Sequence, residues 1–221
     1  ALFYQKYNDH QLNAFTGTIK YKISTGVGDS ATPSNLGQIN NFVDNTLVNN
    51  TTLYVYGADM LGNIWRFDIN DTQGPTGREA TLIGTAKDAS NNPQPITTRP
   101  ELAELQGNPM VFVGTGRLLG VPDLSDTHVQ SIYGIVDRLS GDPVYSDLRA
   151  SLKPMTMTQV GSGAGRRRTI ACAGDATQCG STAGWIVDLP DTGERVNVDM
   201  KLVLGTLVIG KNEKDVRFCG G

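Results

Sequence analysis

The chain has 221 residues, a formal net charge of −3 and a sequence pI near 5.3, a balance that argues against a general nucleic-acid binder, which carries a basic face. Hydrophobic content is 38%, and 26 Gly with 10 Pro mark many turns; no apolar run approaches the ~20 residues of a membrane-spanning helix. The length allows one large all-β domain or two small ones, and a chain of this size buries roughly 70% of the surface it exposes unfolded.

Ala1 is followed by the apolar, strand-like Leu2-Phe3-Tyr4. With no initiator Met and no signal peptide, the chain reads as a piece of a longer protein. In residues 2–25, Ile19, Tyr21 and Ile23 alternate with Lys20, Lys22 and Ser24, the pattern of a half-buried strand. Residues 26–52 are polar and read as a long loop insertion, with only Leu36 and Phe42-Val43 as apolar pieces. Leu53 to Asp71, LYVYGADMLGNIWRFDIND, then gives the clearest local signal. Two alternating apolar runs flank a Leu61-Gly62-Asn63 tract, which predicts a β-hairpin. Ile64 and Arg66 point one way and Trp65 and Phe67 the other, so the arginine's face stays wet or meets a polar neighbour.

Gln73 to Arg78 is a Gly/Pro turn, Ala80–Thr85 a short strand, and Lys87–Pro95 a loop. Glu101–Leu105 and Met110–Val113 read as strand, turn, strand around Asn108-Pro109, and Ile132–Asp137 as another strand. The run Val111–Gly116 echoes Val55–Asp59 roughly 57 residues earlier, a spacing suited to a four-stranded propeller blade with insertions. Residues 149–183 form a second long loop insertion. Its arginine run, Arg166-Arg167-Arg168, reads as a solvated turn rather than a phosphate site. Gly184–Pro190 is the last strong strand, and Leu202–Ile209 a buried strand pair. No stretch shows three turns of 3.6-residue period, so the fold class is all-β.

Of the three cysteines, Cys172 and Cys179 bracket a short loop that a disulfide closes readily in an oxidising compartment, with about 2–3 kcal/mol of stabilisation. Two reduced thiols are the alternative, and Cys219 is left for a partner beyond the chain. Zinc is disfavoured because there is no CxxC pair and His10 and His128 are distant. Neither histidine adjoins a nucleophile signature, and Asp9 and Asp188 read as turn and strand-end residues. Gly114-Thr115-Gly116-Arg117 is too short for a phosphate loop. Glu194 and Arg195, as neighbours, point to opposite sides and are assigned to structure. No residue takes a catalytic role. Tyr54, Tyr133 and Tyr145 stack on sugars if exposed, or fill the core if not.

The collinear segments VYGADMLGNIWRFDI (55–69), ITTRP (96–100), VFVGTGRLL (111–119), QSIYGIVDR (130–138), GWIVDLPDTGERV (184–196) and LGTLV (204–208), preceded by LNAFTGTIKYKISTGVG (12–28), resemble the C-terminal β-propeller domain of the PilC/PilY-type type IV pilus tip adhesins. GWIVDLPDTGERV is the most specific of them, whereas quinoprotein-like propellers share the Gly-Asn-x-Trp hairpin. The resemblance implies a quinoprotein-like, seven-blade-type propeller, residues 1–221 covering part of the blades, with Trp65 and Trp185 as structural docking residues and Cys172 and Cys179 as structural cysteines. It implies a non-enzymatic adhesin and pilus assembly/retraction factor, outside the cytoplasm at the pilus tip, outer membrane or periplasm. Its partners would be minor pilins and a host or abiotic surface ligand. A quinone-dependent dehydrogenase and a sugar-binding propeller are the alternatives. Family members carry a calcium loop of the DxDxDGxxD type before the VYAGD strand. Laid back from Val55-Tyr56, its positions one, three, five and nine fall on Asn45, Leu47, Asn49 and Leu53, and its turn glycine on Asn50. Leucines offer no oxygen, so any calcium loop here is degenerate, in a shifted register around Asp44, Asn45, Asn49 and Asn50.

Overall fold

The computed structural model describes residues 8–12, 16–45, 47–69, 79–161, 167–172 and 182–210. The readings of Leu2–Tyr4, of the Gln73–Arg78 turn, and of Arg166, Cys179 and Cys219 lie outside these residues.

The chain is all-β. A two-stranded ribbon, β1 (Asn8–Leu12) and β2 (Ile19–Ser24), precedes a four-stranded antiparallel meander of β3 (Ile39–Asn45), β4 (Asn49–Ala58), β5 (Asn63–Asp68) and β6 (Ala80–Thr85). A second sheet holds β7 (Glu101–Leu105), β8 (Asn108–Gly114), β9 (Ser131–Val136), β10 (Lys153–Val160), β11 (Arg167–Cys172) and β12 (Gly184–Asp188), in the order β11-β10-β12-β9-β8-β7. A last hairpin joins β13 (Lys201–Val203) to β14 (Thr206–Val208). Among the described residues helix is confined to a 3-10 turn, Val121–Ser125, and one turn of α-helix, α1 (Leu148–Ser151).

The predicted hairpin forms as β4–β5, with Tyr56 opposite Arg66 and Gly57 opposite Trp65. Its turn works because Gly62 takes φ +82°, and a Cβ there would strike the Ala86 and Gln94 backbone. Strand alternation sorts its side chains: Tyr54, Tyr56 and Ile64 enter a core shared with Val111, Val113, Tyr133 and Ile135 of the second sheet. Val55, Trp65 and Phe67 face the other way, against Ile23 and Leu36. Trp65 is thus buried on the ribbon side, not against the six-stranded sheet. β4 and β8 are each the second strand of their sheets, so the sequence echo between them marks equivalent blade positions.

Both expected loop insertions carry strands. β3 and the start of β4 lie in 26–52, pairing from Ile39–Gly57 to Asn45–Asn49. Within 149–183, β10 and β11 pair from Met155–Cys172 to Val160–Arg167. That hairpin is an insertion between the third and fourth strands of a blade, since β12 returns beside β9 and β10 joins it in parallel through Lys153–Met155. Polar side chains hid it, because the hairpin is exposed along most of its length. β13–β14 also differs from expectation: the pair forms, but Val203, Leu204 and Val208 are exposed.

The second sheet is covered on both faces. Phe112, Ile132, Val187, Leu189, Val196 and Met200 form a core on the side opposite the first sheet. Trp185 lies across its register partner Gly134 and packs at 6.2 Å against Phe112. Residues 142–145 then bind the outer edge of β6: Asp142 Oδ1 accepts from Leu82 N, and Val144 N and Tyr145 N donate to the Leu82 and Ile83 carbonyls.

Candidate functional site

Asp44, Asn45, Asn49 and Asn50 lie at the tip of the β3–β4 hairpin, where Asn45 pairs with Asn49. The side chains of Asp44 and Asn45 are outside the described residues. Asn49 Oδ1 is turned onto Thr51, accepting from its N at 3.1 Å and its Oγ1 at 2.6 Å. Asn49 and Asn50, as successive strand residues, project to opposite faces. A hard cation takes six to eight converging oxygens, whereas the Asn49 amide oxygen is committed to Thr51. Among the described residues no group of three His, Cys, Asp or Glu side chains is close enough to hold a metal ion.

Tyr54, Tyr133 and Tyr145 are all buried, which corrects the sugar-stacking alternative for them. Tyr145 OH donates to the Val136 carbonyl at 2.7 Å. Tyr133 meets Gln94 Oε1 and the Lys87 carbonyl, and burial pushes its phenol up to about 12. Cys172 ends β11 and is disulfide-bonded. His128 is exposed, its Nδ1 2.7 Å from Asp126 Oδ1.

The polar groups that organise the fold sit between the sheets. Arg66 on β5 and Asp137, just after β9, are both buried, and Arg66 Nη1 donates to Asp137 Oδ1 and Oδ2 at 2.7 and 2.6 Å. Tyr56 OH donates to Asp137 Oδ2 at 2.8 Å, and Leu139 N to Oδ1 at 2.9 Å. Burial, reinforced by the Asp137 charge, holds the Tyr56 phenol protonated far above its ordinary range. This pair is the polar neighbour that the sequence required for Arg66. A second chain of bonds runs from Gln94 Nε2 to Ser131 Oγ at 2.8 Å, from Ser131 Oγ to Asp188 Oδ1 at 2.6 Å, and on to Arg149.

Glu194 and Arg195 are structural, as expected, mostly through partners far off in sequence. Glu194 is fully buried against Arg168 of β11. Arg195 is buried and donates to the carbonyls of Gly193, Arg117, Asp123 and Asp126.

Sequence reading missed a repeated turn, Asp-x-x-x-Asn, at 59–63 and 88–92. In each, one aspartate oxygen accepts from the Asn N, the Asp+2 N also donating, while the other oxygen accepts from the Asn Nδ2. Asp59 additionally accepts from Trp65 Nε1 at 3.0 Å. The two carboxyls shift oppositely. Burial dominates at Asp59 and raises it; at Asp88 burial is outweighed by the Asn92 and Ser90 bonds and the nearby His128, which lower it. Asp88 therefore contributes stability at neutral pH that is lost as pH falls through its lowered value. Asp59 has the reverse sign: its ionisation disfavours the fold above its raised value, and the penalty vanishes below the ordinary unfolded range. Carboxyl carbon NMR titration is expected to place Asp59 above, and Asp88 below, the ordinary aspartate value near 3.9.

Two open pockets flank these joints. One, about 370 Å³, lies between the 87–91 turn and α1; the other, about 580 Å³, lies between β2, β5–β6 and the 139–142 loop, with Arg66 in its wall.

No family model matches the chain. Two proteins of Xylella fastidiosa, each described as a type IV pilus biogenesis factor PilY1 homolog, are 31% identical to it over 153 and 164 residues. These alignments cover 66% and 64% of the chain but 11% and 10% of the relatives, so the chain spans about a tenth of their length. The crystal structure of the Pseudomonas aeruginosa PilY1 C-terminal domain superposes with a TM-score of 0.69 at 20% identity, over 92% of this chain and 50% of that one. The fold is accordingly that domain's β-propeller-like architecture. On sequence and fold together, the chain is a relative of the PilY1-type type IV pilus biogenesis factors and corresponds to part of their C-terminal domain.

Proposed function

We propose that the chain is part of a non-enzymatic, tip-associated type IV pilus adhesin that also serves pilus assembly and retraction. It works by binding minor pilins on one side and a host or abiotic surface on the other. The observation that carries this reading is the similarity to two PilY1 homologs across about two thirds of the chain. It acts outside the cytoplasm, at the cell surface or in the periplasm during assembly, and the disulfide at Cys172 accords with an oxidising compartment. No helix among the described residues is long and apolar enough to cross a membrane. The contact elements are the hairpins β3–β4 and β10–β11, which carry exposed Leu47, Val48, Val160 and Ile170, because partner contacts concentrate on surface connections.

Deleting residues 1–221 from the parent gene in the source cell is expected to reduce surface piliation, with recovery when the segment is restored. Unchanged pilus numbers and motility would overturn the reading.

A further inference from the structure

We propose that the open edge of β11 takes up an extended segment of a partner protein as an added strand, with an acidic side chain opposite Arg167 and an aliphatic one opposite Ile170. This deepens the protein-binding reading above and rests on it for the partner's place in the cell, while its test is independent of pili.

Elsewhere the chain covers its outer sheet edges with extended backbone. Along β6, the last strand of the first sheet, Val144 N and Tyr145 N donate to the Leu82 and Ile83 carbonyls. β12 is flanked by β10 in parallel through Lys153–Met155. That pairing carries the edge outward to β11, which ends the six-stranded sheet and has no further strand beside it among the described residues. An unpaired edge is a template for another strand, and natural edges are commonly blunted by Pro, Lys or a bulge. β11 has no Pro and no Lys, and its pairing with β10 runs from Met155–Cys172 to Val160–Arg167 without a register shift.

The edge is held ready for a partner. Arg168 donates to buried Glu194 and, at 2.5 Å, to Asp191 Oδ2, which ties the hairpin to the 191–194 turn. Met155 and Met157 pack against the core beneath it. A strand already ordered before binding spares the complex that part of the ordering cost.

The side chains choose the partner. The two strands of the hairpin carry Lys153, Arg167 and Arg168 and no Asp or Glu. Arg168 spends its charge on Glu194 and Asp191, whereas Arg167 is exposed and makes no ion pair with any described residue. Arg167 therefore guards the edge: a strand that brings a carboxylate opposite it is favoured, and one that brings a cation is repelled. Ile170 is 43% exposed. It lies three positions from Arg167, so the two point to opposite faces. An antiparallel strand meets both with an aliphatic residue followed three positions later by Asp or Glu. A second copy of β11 lacks that carboxylate, which disfavours self-pairing.

Hydrogen–deuterium exchange of the full-length parent tests the proposal with two acetylated peptides, Thr-Gln-Thr-Ile-Thr-Val-Glu-Gln-Thr and the same sequence with Lys in place of Glu. The Glu peptide is expected to slow amide exchange across 167–171 and to bind roughly fivefold more tightly than the Lys peptide. Arg167→Glu should reverse that preference. Lys22→Gln, which removes an exposed positive charge from β2 of the separate ribbon, should leave it unchanged. The reversal is a gain for the Lys peptide, so a misfolded variant cannot produce it. Three outcomes would overturn the proposal: no binding of either peptide, binding without slowed exchange at β11, or a preference that Arg167→Glu fails to reverse. Peptide binding by a parent that does not associate with pili would leave the edge standing and the pilus reading fallen.

Discussion

Replacing Arg66 by Met is expected to cost about 3–5 kcal/mol of unfolding free energy, because it leaves the Asp137 carboxylate buried with no cation. Asp137→Leu alone should cost a comparable amount, stranding the guanidinium and removing the acceptor of Tyr56 OH and Leu139 N. The double variant Arg66→Met/Asp137→Leu should lose clearly less than the sum of the two. A buried pair has a large desolvation cost of its own, and apolar replacement of both members removes it. Urea unfolding of the four proteins gives the cycle. Single changes costing under ~1 kcal/mol, or strict additivity, would mean the pair does not hold the two sheets together.

Gly184→Ala should be more damaging than its small size suggests. Gly184 opens β12 at φ +109°, and an added Cβ would run into the Gly134 carbonyl oxygen and lie 3.1 Å from Ile135 Cα. Those atoms belong to β9, the strand that β12 pairs with, so relief requires parting the sheet. Gly205→Ala supplies the comparison: φ is +75° but nothing lies within 4 Å of the new methyl. That variant should cost only the left-handed backbone penalty, about 1–2 kcal/mol. Gly184→Ala adds the steric clash and should exceed ~4 kcal/mol, a size reserved for a few mechanisms. Similar urea midpoints for the two would contradict this account of the β9–β12 contact.

What the sequence made legible follows from the range of the interactions. The β4–β5 hairpin was readable because alternation and a Gly-Asn turn act within a few residues. The role of Arg66 was half readable: a charge on an apolar strand demands a partner, but Asp137 lies 71 residues on, and nothing local names it. Asp137 left only the trace of a charged residue closing the run Ile132–Val136. Glu194 and Arg195 were assigned to structure, yet their partners, Arg168 and the carbonyls after β8, are set by topology. β10–β11 escaped because an exposed sheet extension has no buried face to impose alternation. The Asp59 and Asp88 turns were missed although they share a local signal, Asp-x-x-x-Asn, and their opposite electrostatics come from burial and from neighbours set by the fold. The pocket beside β2 could not be read at all, since its walls come from four separate stretches of chain.

We propose that this propeller segment belongs to a protein that works at the pilus. Shearing pili from the source cell and probing the purified filaments for the full-length parent and minor pilins tests it most directly. The expected result is co-purification of the parent with pili and minor pilins, lost when residues 1–221 are deleted from an otherwise stable parent. A parent that stays with the cell body while pili shear free of it would contradict the claim.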